Sequence, residues 1–218
     1  MRSILFRSVA STFGLLLACR CGGGGGSSPD SVLAPLVILA TPELDGVVLS
    51  DGSFDTSGAI LFTGDRDASE NGVGSRQFFS FDLSGIPAGA EILGADVAFT
   101  QIEQAGTAYD SLGSVRFEHV DYGPSLDGSD FDTPVLADIG GLIVADPAQM
   151  LSGRGLAVTN LVIEALDSNL TRLQFRLRFQ DLDSDSDGAS DYAVFVDSEV
   201  SHPDALQEMR PSLTVVYR

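Results

Sequence analysis

The sequence predicts an all-β protein, an antiparallel β-sandwich of jelly-roll-like kind carrying one short helix. Three observations lead there. Over residues 171–180, Leu173, Phe175, Leu177 and Phe179 alternate with Arg172, Gln174, Arg176 and Arg178, a period of two that turns one set toward a core and the other away from it. About eight such short runs are separated by clusters of Gly, Asp, Ser and Pro, the punctuation of a sandwich rather than of a helical protein. At 218 residues, 44% hydrophobic and 20% charged, the chain suits one substantial domain with a real core.

In chain order the expected strands are 46–51, 59–63, 77–83, 92–101, 115–120, 171–180, 192–196 and 212–217. In the third, Phe79, Phe81 and Leu83 share one face. One segment departs from the pattern. Over 158–166 apolar residues recur at helical spacing after Thr159, a possible N-cap, which predicts a short helix closing one end of the sandwich. Residues 123–155 are rich in Gly, Asp and Pro and predict mostly loop.

The N-terminus says where the module goes. Arg2 and Arg7 precede an apolar stretch from Ser8 to Ala18, the layout of an export signal. No small-residue cleavage tripeptide ends it; Leu16-Leu17-Ala18-Cys19 stands there instead. That sequence resembles the bacterial lipobox, whose cysteine is acylated and becomes the first mature residue. Residues 1–18 are therefore read as a lipoprotein signal peptide, and Cys19 as the lipidation site, since several acyl chains anchor stably where one does not. Arg20 is not the aspartate linked to inner-membrane retention, so the resemblance implies an exported protein held at the outer membrane or cell surface. Residues 19–31 include Gly22 to Gly26 and read as a tether; residues 32–218 form the module. Cys21 has no assigned role.

Charge narrows the partners. The chain has no lysine, and from Cys19 onward ten arginines face 31 acids, a net charge of −21. Such a surface repels nucleic acid at long range. The expected partners are polysaccharide or a surface protein, with the membrane reached through the lipid anchor.

Four pieces in order resemble the DNRLRE-type β-sandwich domain, a group that includes carbohydrate-binding module family 96 and the disaggregatase-related repeats. They are Phe79-Ser80-Phe81-Asp82-Leu83-Ser84-Gly85-Ile86-Pro87-Ala88-Gly89-Ala90-Glu91-Ile92, the Val158-Thr159 helix start, Phe195-Val196-Asp197-Ser198-Glu199, and Arg210-Pro211-Ser212-Leu213-Thr214-Val215-Val216-Tyr217. The resemblance runs from about residue 43 to the C-terminus. It implies a non-catalytic module of an extracellular protein, with polysaccharide as the ligand of some members. Physically, Pro87 lies in a turn between strands and Pro211 opens the last strand, where a missing donor costs least. Glu199 and Arg210 flank the final connection and are placed to pair across it.

The sharpest local motif is Asp181-Leu182-Asp183-Ser184-Asp185-Ser186-Asp187-Gly188-Ala189-Ser190-Asp191. Asp183, Asp185, Asp187, Gly188 and Asp191 match positions one, three, five, six and nine of a calcium loop. Position twelve is Val194 rather than Glu, so backbone carbonyls, water or Asp197 would complete the shell. Five carboxylates within eleven residues repel one another unless screened, and Ca2+ is the expected cofactor, with Asp183, Asp185, Asp187 and Asp191 as its ligands. The alternative is a solvated acidic loop. A second group, Asp127, Asp130 and Asp132, reads as loop.

Arg172, Arg176 and Arg178 share one strand face. They are candidate ligand-binding residues for carboxylates or sulfates of a glycan, or else structural partners of neighbouring acids. His119 and His202 are the only histidines, and no Gly-rich phosphate loop follows a strand. A non-enzyme is expected.

Overall fold

The computed structural model describes residues 34–57, 62–65, 72–142, 150–153, 156–181, 183–199 and 206–218. All of these belong to one compact unit, Val32–Arg218. The signal peptide, Cys19 and the glycine tether lie outside the described residues.

Among the described residues twelve strands form: β1 (Leu36–Leu39), β2 (Gly46–Leu49), β3 (Phe54–Asp55), β4 (Phe62–Asp65), β5 (Gly74–Asp82), β6 (Ile92–Ala105), β7 (Val115–Val120), β8 (Ala137–Leu142), β9 (Met150–Gly153), β10 (Arg172–Phe179), β11 (Asp191–Phe195) and β12 (Ser212–Tyr217). Every pairing is antiparallel. The hydrogen-bonded path runs β1-β12-β6-β11-β4-β5-β10-β7-β8 and curls on itself, so the all-β, sandwich-like prediction holds.

The long strand β6 makes the curl. Its first part pairs with β12 and its last part, from Gln101 onward, with β11. The interior fills with rings. Phe99 of β6 meets Phe79 of β5 at 4.7 Å and Phe117 of β7 at 5.2 Å, and Phe117 stacks on Phe175 of β10 at 4.6 Å. Leu173, Phe175, Leu177 and Phe179 are all buried there, as their alternation predicts.

Two helices form among the described residues. α1 (Ala108–Ser111) is a single turn, and α2 (Leu156–Asp167) is the predicted helix with earlier bounds. Val158, Leu161, Val162 and Ala165 of α2 join the core. Because α2 starts at Leu156, Thr159 is not its cap. The Thr159 hydroxyl instead accepts the Ala95 N–H at 3.0 Å, tying the helix to β6.

Segment 123–155 is less loop-like than expected, because it holds β8 and β9. Those strands are hard to read from sequence: Ala137–Leu142 contains two glycines, and both strands are short. Strand β1 was missed as well, since Pro35 and Pro42 bracket it. Residues 59–61 of the expected second strand lie outside the described residues, and Phe62–Asp65 follows directly.

The outer face of the β5-β10-β7 layer is not bare. A second, smaller core of Val48, Phe78, Val120, Tyr122 and Leu126, with Phe131 against it, forms where the chain after β7 folds back over the sheet. Tyr122 anchors the return. Its N–H donates to Gln174 Oε1 at 2.9 Å, its hydroxyl donates to the Leu44 carbonyl at 2.6 Å, and Gln174 Nε2 donates to the Gly123 carbonyl at 2.8 Å. This second layer decides the fate of the arginine stripe.

Candidate functional site

Three regions carry the candidate chemistry: the arginine face, the acidic β10-β11 loop and a groove beside α2.

On the arginine face Arg176 takes the structural alternative, pairing with a neighbouring acid rather than facing outward. Its side chain is 3% exposed and pairs with Glu118, 2% exposed, through Nε at 2.9 Å and Nη2 at 2.7 Å. Arg176 Nη1 donates to the carbonyls of Phe131 and Thr133. A guanidinium sealed under the second layer, with Nε and both Nη groups engaged internally, is out of reach of an external ligand. Burial draws it below its ordinary pKa, and Glu118 opposes that shift. Arg178 gives Nε to the other Glu118 oxygen at 2.9 Å and Nη1 to the carbonyls of Phe179 and Gln180. Of the three, Arg172 stands apart. Its one hydrogen bond among the described residues runs from Nη1 to Thr41 Oγ1 at 3.2 Å, and it faces Asp82 across the β10-β5 ladder.

Arg76 of β5, which the alternation of its strand did not single out, completes this face. Its Nη2 donates to Asp183 Oδ2 at 2.6 Å, its Nη1 donates to the Phe131 carbonyl, and its guanidinium carbon lies 3.8 Å from the centre of the Phe131 ring. Arg76 and Arg176 thus hold one carbonyl between them and pin residues 127–133 onto the sheet. The acids of that segment are structural too. Asp127 accepts the Ser129 N–H and Asp130 accepts the Asp127 N–H, a capping box for the short 3₁₀ turn Gly128–Asp132, as their reading as loop anticipated.

The Asp183 contact changes the metal candidate. Asp183 spends its carboxylate on Arg76, with side chains 18% and 13% exposed respectively, and so turns away from the other acids. The remaining three converge: oxygens of Asp185, Asp187 and Asp191 all lie within 4.8 Å of one another. The loop bends through Ser186 and Gly188, both at positive φ, and the Asp187 and Ala189 N–H groups donate to Asp185 and Asp187.

Asp191 opens β11 and is buried, taking the Thr107 N–H on Oδ1. Directly across the ladder lies Asp65 of β4, equally buried, which takes the Ser184 hydroxyl. Like charges directly opposite on paired strands repel, and burial sharpens the repulsion. Close chain approach is built in here. A Cβ on Gly106, at φ +59, would meet Asp191 Oδ1 at 2.2 Å, and one on Gly74 would meet the Asp183 Cβ at 2.4 Å.

Asp197 does not reach this loop. It lies past the far end of β11, six residues from Asp191 and so on the order of 20 Å away along an extended chain. It is buried near Asp45, which accepts the Ser198 N–H at 2.9 Å. Burial, aided by Asp197 and Glu199, pushes the Asp45 carboxyl up to about 7 against the pull of Ser198. Glu199 and Arg210 do not form their expected pair among the described residues. Val194, at position twelve of the motif, is a core side chain.

The third region is a groove made of two adjoining clefts of about 240 and 260 Å³, which share His119, Leu136 and Leu170. It lies beside α2 and the chain leading into β10. Arg172 lines its first part and Glu164 its second. Sequence reading gave no signal for it, since its residues come from four separate segments.

No family model matches the chain, and no curated protein matches it. No helix among the described residues is long and apolar enough to cross a membrane.

Proposed function

We propose that the chain is an exported lipoprotein, anchored through Cys19 at the outer membrane or cell surface, whose β-sandwich is a non-catalytic, calcium-supported module binding extracellular or envelope polysaccharide. The observation that carries the calcium assignment is the convergence of Asp185, Asp187 and Asp191 opposite the buried Asp65. A hard divalent cation takes six to eight oxygen ligands, and an acidic loop closing a two-strand turn supplies carboxylates, serine hydroxyls and carbonyls at close quarters. Asp183 belongs to Arg76 and is left out of the ligand set. The signal-like N-terminus and the resemblance to DNRLRE-type modules support export and polysaccharide as the ligand.

The test is retention of the purified chain on native envelope polysaccharides with millimolar calcium and with chelator. Calcium-dependent retention is expected. Absence of retention on every polysaccharide, with calcium present, would reject the ligand class.

One observation favours a second reading, a structural or adhesive protein that self-associates. Val37 and Leu39 of β1 and Leu93 of β6 are 55%, 41% and 46% exposed, on strands that both flank β12. Sizing the chain with and without calcium separates the two readings: a calcium-independent monomer removes the second.

A further inference from the structure

We infer that the groove beside α2 is the polysaccharide subsite and that it takes a neutral glycan chain, packed against Leu136, Leu170 and the His119 ring and hydrogen-bonded at one end by Arg172. The inference rests on the polysaccharide reading above and adds the place and the ligand class.

The groove has the make-up of a sugar site. Ligand sites combine an apolar surface with a few placed polar groups, and here Leu136 and Leu170, 60% and 48% exposed, form apolar shoulders over a floor that includes His119. The His119 imidazole is the one aromatic surface among the lining residues, and the Phe175 ring backs it at 5.9 Å. A pyranose presents an apolar face and a rim of hydroxyls, so shoulders and ring meet the face while Arg172, Asp121 and Glu164 meet the rim.

Charge selects a neutral chain. The ionisable lining sets one guanidinium against two carboxylates, with the His119 imidazole drawn by burial toward its neutral form, on a protein of net charge −19 that repels polyanions from a distance. The other described arginines of strands β5, β7 and β10, which would serve a sulfated or uronic chain, are committed internally: Arg76 to Asp183, Arg116 to Asp138, Arg176 and Arg178 to Glu118. Arg172, with its single hydrogen bond, remains.

The central strands at the groove, β7 and β10, are each paired on both sides, β10 with β5 and β7, and β7 with β10 and β8. Strand addition, the mode by which sheets commonly take extended peptides, has an edge there only at β8, the end of the sheet path, whose Ala137 borders the second cleft.

The test is affinity electrophoresis of the full chain through gels containing galactomannan, xyloglucan or a β-1,3-glucan, beside gels containing alginate, with Leu136→Ala/Leu170→Ala and Arg172→Gln as variants. The three side chains are not core residues, and circular dichroism checks the fold of each variant. Retardation of wild type by a neutral glycan, weakened about tenfold or more in both variants, is expected, the scale of a well-placed contact. Equal retardation of wild type and variants would overturn the groove while leaving the polysaccharide reading standing. Retardation by alginate alone would overturn the neutral class. No retardation in any gel, together with no retention on native envelope polysaccharide, would overturn both. A dimer on sizing that the double alanine variant converts to monomer would make a second copy the occupant and overturn the proposal.

Discussion

The covered arginine face and the acidic loop at the end of β10 treat carboxylates in opposite ways. On the face, two acids are held by guanidinium groups: buried Glu118 bridges Arg176 and Arg178, and partly buried Asp183 takes Arg76. A few residues away, Asp185, Asp187 and Asp191 converge with no ion pair to an arginine among the described residues, and Asp65 stands across from Asp191. In a chain with 12 basic residues, none of them lysine, and 31 acidic ones, the placement of arginine sorts the acids. Those with a guanidinium hold the fold, and Asp185, Asp187 and Asp191 are the ones proposed above to share a cation.

The largest effect should come from breaking the first half of that contrast. Glu118→Ala strands a buried guanidinium, and removing one partner of a buried pair costs about 3–5 kcal/mol. Urea denaturation should therefore show a sharply lowered midpoint, and Glu118→Gln, which keeps an acceptor, a smaller loss. A midpoint near wild type in Glu118→Ala would mean that the face is not held by this pair.

Next in size is the effect at another buried acid, Asp45. Its carboxyl is pushed up to about 7 chiefly by burial, above the ordinary 3.8. A folded value above the unfolded one means that the folded state holds the proton more tightly. Asp45 therefore costs nothing below about pH 4, and stability falls as pH rises from there through about 7. Asp45→Asn, which can still accept the Ser198 N–H, should raise the melting temperature at pH 8 by several degrees, at about 2–4 °C per kcal/mol for a domain of this size. The gain should vanish at pH 4. An equal gain at both values would assign the effect to packing.

A smaller effect sharpens the boundary between the two regions. Asp183→Asn weakens the charge-assisted contact with Arg76, worth about 1.5–3 kcal/mol, and should lower stability equally with and without calcium. If it instead abolishes a calcium response, Asp183 is a ligand and the sorting by arginine fails at that residue.

The contrast also shows what could be read from the sequence. Period two in β10 placed Leu173, Phe175, Leu177 and Phe179 in the core correctly, because burial on one face is what that period records. It could not say whether the other face was bare. Arg176 and Gln174 point away from the main core and are still buried, because the chain after β7 returns over them. The signal was present in Phe78, an aromatic on the face opposite Phe79 and Phe81. A purely solvated face has no use for it.

The acidic motif identified Asp185, Asp187 and Asp191 by spacing alone, whereas the loss of Asp183 to Arg76 is a contact between residues 107 apart in sequence. Asp65 was likewise out of reach, since it meets Asp191 only through the β4-β11 pairing. The groove at His119 and Arg172 is more distant still: no spacing within one segment encodes it.

The most direct test of the sorting by arginine is a calcium titration of the melting temperature, run on wild type and on Asp185→Ala/Asp187→Ala. Wild type should gain stability as calcium reaches the millimolar range, following RT ln(1 + [L]/Kd), and the double variant should gain none. An unchanged wild-type melting temperature at millimolar calcium would contradict the assignment of these carboxylates to a cation.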